Sequence, residues 1–296
     1  MRPVKILTDS CSDLPLDLRE KYNIDYLKMN TVRDGRQTPA SLDWEYFTPH
    51  ELYDTIRGGN RVTTTQVPEA TFEHDFRAVL EQGYDIVYVA CAGKMSGSVF
   101  TGIHVAEKLE KEYDGAKIYC VDSLNACMGE GMLAIRAAQL RDEGKSAKDI
   151  YSEVNAVRNN VNQFVTVHNL NALRAAGRVT GSSAFFGNLL GVKPIIVSDK
   201  TGNNIPIKKV KGRANSIEEI VNLTAEAIEN PEEQTIYVFH SDCAADADEA
   251  ARLLKEKINC KDVYTGFIGP IIGASIGADA IAIFSFGKNV ERFSQQ

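Results

Sequence analysis

Apolar residues in the first half of the chain fall in short unbroken runs, and the runs alternate with segments of helical spacing. Residues 4–8 and 26–32 read as buried strands. Thr48-Pro49-His50-Glu51 is a capping box with proline at the first helical position, and Gly58-Gly59 stops that helix. Pro68 opens a helix that spaces Phe72, Phe76, Val79 and Leu80 along one face and closes at Gly83. Residues 85–91 read as a strand, 98–111 as a helix with Val99, Ile103 and Ala106 on one side, and 117–123 as a strand. Residues 131–143 form the next helix, ended by Gly144, and Ser146 caps another. Strand–helix alternation at this spacing predicts a three-layer α/β/α domain on a parallel sheet.

The rhythm changes after about residue 160. A strand is expected at 163–168 and a short helix at 170–176, closed by Gly177. Strands at 194–198 and 205–210 flank the turn Asp199-Lys200-Thr201-Gly202-Asn203, so they form an antiparallel hairpin. Helix 216–229, strand 235–239, helix 245–258 and strands 262–268 and 280–286 follow. The expected organisation is an α/β domain at 1–161 and an α+β domain with a mixed or antiparallel sheet at 162–296. There is no internal repeat or low-complexity tract.

Charge narrows the function classes. The 296 residues carry 33 Lys and Arg against 40 Asp and Glu, a net charge of −7. An acidic chain disfavours nucleic acid and anionic membrane surfaces as partners. The least polar stretch, 266–287, runs only 13 residues before Asp279, too short to span a bilayer. No secretory signal pattern is visible, and the expected location is the cytoplasm. The six cysteines form no C-x-x-C pair and no zinc-spaced cluster, which reads as reduced thiols with no metal.

Ala92-Gly93-Lys94-Met95-Ser96-Gly97-Ser98 lies past the carboxyl end of one strand and before a helix, where open α/β sheets bind ligands. Its hydroxyls, its glycine and the helix N-terminus suit an anion. Taken alone, Ser98 reads equally as a helix cap and Ser96 as a turn residue. The loop is no nucleotide-binding phosphate loop, because Tyr88 and Met95 occupy positions that need glycine and a hydroxyl residue. Thr63-Thr64-Thr65-Gln66 is a second hydroxyl run before a helix, and it also reads as a solvated strand end. Gly273-Ala274-Ser275-Ile276-Gly277 matches the nucleophile elbow of hydrolases. All five histidines precede Ser275, against that family's order, so a plain glycine-rich loop is the simpler reading. Arg178, Lys193, Lys211 and Arg213 are cations that can serve a phosphate or a partner protein.

Several of these segments, in order and across nearly the whole chain, resemble the DegV family of bacterial fatty-acid-binding proteins. They are Ile6-Leu7-Thr8-Asp9-Ser10 with Asp13-Leu14-Pro15, Thr64-Thr65-Gln66, Met95-Ser96-Gly97-Ser98, Val121-Asp122-Ser123, Gly177-Arg178, Asn188-Leu189-Leu190 through Lys193-Pro194, and Gly269-Pro270-Ile271-Ile272-Gly273. The resemblance implies a non-catalytic carrier with a long-chain fatty acid as ligand and no cofactor. It places the carboxylate at Thr64 and Ser96, with Thr65 and Ser275 as helpers. It also implies a fatty-acid kinase as partner protein, with Arg178 at the contact. Departures from the family pattern are local. The late loop reads Ser275-Ile276-Gly277-Ala278-Asp279, with Ser275 where the family usually has histidine. Serine donates a hydrogen bond but carries no charge. Ala92 and Gly93 replace serines, and Lys211, with Arg213 two residues on, replaces an arginine. The alternative readings are a hydrolase using Ser275 and a small-molecule kinase subunit.

Overall fold

The computed structural model describes residues 2–181 and 191–293. It divides into two compact units, 1–46 with 64–158 and 47–63 with 159–296.

The first unit is built on four strands: β1 (Val4–Asp9), β2 (Ile24–Leu27), β6 (Asp85–Ala90) and β7 (Ile118–Asp122). They pair in the order β2-β1-β6-β7, all parallel. β6 is buried along its whole length, as its unbroken apolar run requires of a strand covered on both faces. Helices α3 (Glu69–Glu81) and α4 (Ser98–Glu112) cover the face toward which Tyr88 points, where Phe72 and Phe76 meet its ring edge-on. Helices α1 (Leu16–Tyr22), α5 (Met128–Asp142) and α6 (Ala147–Val157) complete the unit. α5 begins three residues before the expected start, because Cys127 accepts the amides of Glu130 and Gly131.

The run 26–32, read as one strand, is two. β2 ends at Leu27, and β3 (Asn30–Arg33) belongs to a separate sheet ordered β4-β3-β5, with β4 at Arg36–Pro39 and β5 at Thr63–Thr65. The break falls at Lys28-Met29, where the Met29 amide donates to Ser10 Oγ at 3.0 Å and the Met29 carbonyl takes the Ala40 amide at 2.8 Å. Those long-range bonds leave the hydrophobic alternation intact while turning the chain out of the first sheet.

The second unit carries a six-stranded sheet, ordered β10-β9-β8-β13-β11-β12. Its strands are β8 (Val161–Thr166), β9 (Val192–Ser198), β10 (Asn204–Lys211), β11 (Thr235–His240), β12 (Asp262–Phe267) and β13 (Ile281–Phe286). Only β11 and β12 pair in parallel, so the sheet is mixed. β9 and β10 form the expected hairpin, whose turn is held by the Asp199 carboxylate accepting amides from Thr201 and Asn203. α8 (Arg213–Ala227) and α9 (Ala244–Lys257) pack on the sheet over a core including Phe164, Ile195, Ile220, Val238 and Ile283.

Helix α2 (Pro49–Arg57) also belongs to this unit, a displacement the strand–helix alternation does not reveal. Its capping box forms as read, with Thr48 and Glu51 satisfying each other's amides. Tyr53, fully buried, donates to the Ile268 carbonyl at 2.6 Å. The segment 273–277, read as a glycine-rich loop, is instead the second half and C-cap of a helix, α10 (Pro270–Ile276). Pro270 sits at its first position, and Gly273 gives Tyr53 room: a Cβ there would stand 2.5 Å from the phenol oxygen. α7 (Asn171–Ala176) ends at Gly177, whose left-handed φ of +69° explains the glycine without a functional role.

Candidate functional site

In the first unit the chain leaves β1 to either side of the sheet, so the switch point lies at the carboxyl ends of β1 and β6. The loops there are tied by one carboxylate. Asp9 accepts the Cys11 amide at 2.8 Å, the Cys91 amide at 3.2 Å and the Tyr88 hydroxyl at 2.6 Å. Burial pushes its carboxyl up, against three donors that favour the ionised form. Asp9 is therefore a brace for the loop that follows β6.

That loop turns tightly, with the Met95 and Ser96 amides both donating to the Ala92 carbonyl. The Gly93 amide donates to Asp122 Oδ1 at 3.1 Å. α4 then starts at Ser98. Ser96 and Ser98 stand in hydroxyl contact at 3.0 Å, and the Ser98 amide donates to Ser96 Oγ at 3.3 Å.

The threonine run meets this loop. The Val67 amide donates to Ser98 Oγ at 3.1 Å, and Gln66 Nε2 donates to Thr101 Oγ1 at 2.8 Å. Gly97 allows the approach, since a Cβ there would lie 2.1 Å from Gln66 Oε1. The two hydroxyl segments singled out in the sequence are thus brought side by side within one unit. Thr65 Oγ1 is engaged, donating to the Gln66 carbonyl and accepting from Asn30 Nδ2. The Thr64 side chain, half-buried, makes no hydrogen bond among the described residues. Ser98, left open between cap and site by its sequence, takes a long-range amide that no local pattern could reveal. Gln66 was not singled out for the contact it makes.

Ser275 and Arg178 lie in the second unit. Ser275 stands in the last turn of α10, and its hydroxyl donates to the Ile271 carbonyl at 3.3 Å. It does not occupy a strand-to-helix turn, so the nucleophile-elbow geometry is missing. Near the same loop, Asp279 accepts from Arg57 at 2.7 Å, and His168 Nε2 stands 3.7 Å from its other oxygen. Lys193 Nζ sits 2.9 Å from His168 Nδ1. Burial and the nearby Lys193 and Arg213 charges lower the imidazole pKa, so it stays neutral and accepts from the ammonium. Arg213 pairs with Asp246 at 2.8 Å. Arg178 is exposed, and its guanidinium donates to the Ala176 carbonyl. Asn188-Leu189-Leu190 lies outside the described residues. No cluster of three or more His, Cys, Asp or Glu among the described residues could hold a metal ion, and no described helix is long and apolar enough to cross a membrane.

Comparison with known proteins agrees with this architecture. The model of the family described as "Uncharacterised protein, DegV family" matches residues 3–288. A DegV domain-containing protein of Clostridium perfringens is 34% identical over 291 residues, covering 98% of this chain and all of that one. Among solved structures, a DegV lipid-binding protein from Thermotoga maritima superposes with a TM-score of 0.83 at 25% identity, over 98% of this chain and 100% of its own. A DegV family protein from Thermus thermophilus, described by its fatty-acid binding, gives 0.86 at 25% identity over 97% of this chain and 100% of its own.

Proposed function

The chain belongs to the DegV family, and from that premise we propose that it binds a long-chain fatty acid, as a carrier and without catalysing a reaction. The carboxylate is received by the hydroxyls of Thr64 and Ser96. Thr65 supports the site through Asn30 and Gln66, and Ser275 is a further donor candidate.

The observation that carries this reading is the meeting of the threonine run with the serine loop at Val67 and Ser98. It collects uncharged donors beside the N-terminus of α4, where the helix dipole favours an anion. No cation is required there. Burying a tail of about sixteen carbons supplies on the order of 10 kcal/mol, at about 0.8 kcal/mol per methylene. The head group then mainly fixes orientation. The Thermotoga and Thermus relatives, described as lipid-binding and fatty-acid-binding, support the ligand class. Presentation of the bound acid to a kinase partner, with Arg178 at the contact, extends this reading; the exposure of Arg178 suits a partner-facing role.

Native mass spectrometry of the protein purified from bacterial cells tests the ligand class. A co-purified acid of lipid mass is expected. A spectrum without one, together with no binding by the delipidated protein across several chain lengths, refutes the proposal.

A further inference from the structure

Resting on the reading that the serine loop receives a carboxylate, we propose that Ser98 is a positioning residue that makes Ser96 an obligate hydrogen-bond donor. This gives the site its preference for an ionised carboxylate over the corresponding alcohol.

Hydrogen-bond direction sets the roles of the two hydroxyls. A serine hydroxyl has one hydrogen and two lone pairs. The Ser98 side chain is fully buried, and its oxygen takes the Val67 amide at 3.1 Å. Its own hydrogen has one acceptor in reach among the described residues, Ser96 Oγ at 3.0 Å. The opposite assignment, Ser96 donating to Ser98, would strand a buried hydroxyl hydrogen, which costs more than the bond gained. Ser96 Oγ also takes the Ser98 amide at 3.3 Å. Both of its lone pairs are then filled, and only its hydrogen is left for a ligand.

The polarity of Ser96 therefore begins at a backbone amide three residues beyond Thr64. The Val67 amide donates to Ser98, Ser98 donates to Ser96, and Ser96 donates to the ligand, each bond polarising the next. A carboxylate only accepts, and its charge roughly doubles the strength of the bond it receives. An alcohol brings a hydrogen for which Ser96 has no free lone pair.

The test is calorimetric titration of the delipidated protein at pH 8 with dodecanoate and with 1-dodecanol. The wild type is expected to prefer dodecanoate by about tenfold or more. Ser98→Ala is expected to weaken dodecanoate about tenfold and dodecanol less than about twofold. Ser98→Thr, which keeps the hydroxyl, restores the preference. Equal weakening of both ligands in Ser98→Ala, an unchanged preference, or a Ser98→Thr variant that behaves like the alanine overturns the assignment. Should Ser98→Ala fail to fold, the wild-type ratio decides, and a ratio near one overturns the assignment. A wild type that binds neither these probes nor acids of other chain lengths refutes the underlying fatty-acid reading, a result distinct from equal binding of an acid and its alcohol.

Discussion

Thr8 Oγ1 donates to Glu130 Oε1 at 2.7 Å, while Glu130 Oε2 is buried and meets no hydrogen-bond partner among the described residues. The side chain is completely enclosed. Burial first, and then the nearby Asp9 carboxylate, push its carboxyl well above the ordinary glutamate range, so folding favours the neutral acid.

Stability follows from that proton. Below the ordinary glutamate value of 4.5, folded and unfolded chains both carry it and nothing is lost. Above that value the unfolded chain ionises freely while the folded one retains the proton, so stability falls with rising pH until the folded group itself ionises. Glu130→Gln keeps an acceptor for Thr8 and removes the ionisation. The variant is expected to unfold at higher denaturant than the wild type at pH 8, with the advantage vanishing near pH 4.5. Asp9, raised in the same direction, is common to both proteins. An advantage that does not change with pH contradicts the account; denaturant midpoints across pH 4–9 measure it.

The contact between the two hydroxyl segments predicts a coupling. Gly97→Ala brings a Cβ to 2.1 Å from Gln66 Oε1, and the amide must withdraw from Thr101 to make room. The loss is expected to be about 1 kcal/mol, the worth of one hydrogen bond. In a Gln66→Ala background the clash is gone, and Gly97→Ala is expected to cost almost nothing. A double-mutant cycle in urea measures the pair, and additive costs would show that the segments do not touch.

α2 is held in the second unit by a buried phenol, which sets a third expectation. Tyr53→Phe strands the Ile268 carbonyl and is expected to cost about 1–3 kcal/mol. Gly273→Ala presses a Cβ against the same oxygen at 2.5 Å, with the ring fully enclosed, and is expected to cost at least about as much. Urea unfolding checks both, and wild-type midpoints for both variants would mean that residues 47–63 are not anchored by Tyr53.

Legibility in the sequence followed the range of the interactions. β6, α3 and α4 lie close to where their apolar runs and breakers put them, because burial on both faces of a parallel sheet writes itself locally as Asp85 to Ala90. The Thr48–Glu51 box was readable for the same reason. The break between β2 and β3 was not, since it depends on Ser10 reaching Met29 from another part of the chain. α10 looked like a loop because glycine lowers helix propensity, and packing against Tyr53 overrides it. At the site, the meeting of the two hydroxyl segments was not legible, because it rests on the Val67 amide reaching Ser98 Oγ across 31 residues of chain.

The central claim is that two uncharged hydroxyls receive the carboxylate of a fatty acid. Titration of hexadecanoate into the delipidated wild type and into the Thr64→Val, Ser96→Ala double variant, with thermal unfolding of both proteins as the control for folding, tests it most directly. The account predicts tight binding by the wild type and at least about tenfold weaker binding by a variant that unfolds at a similar temperature. Equal affinity in a folded variant would contradict it.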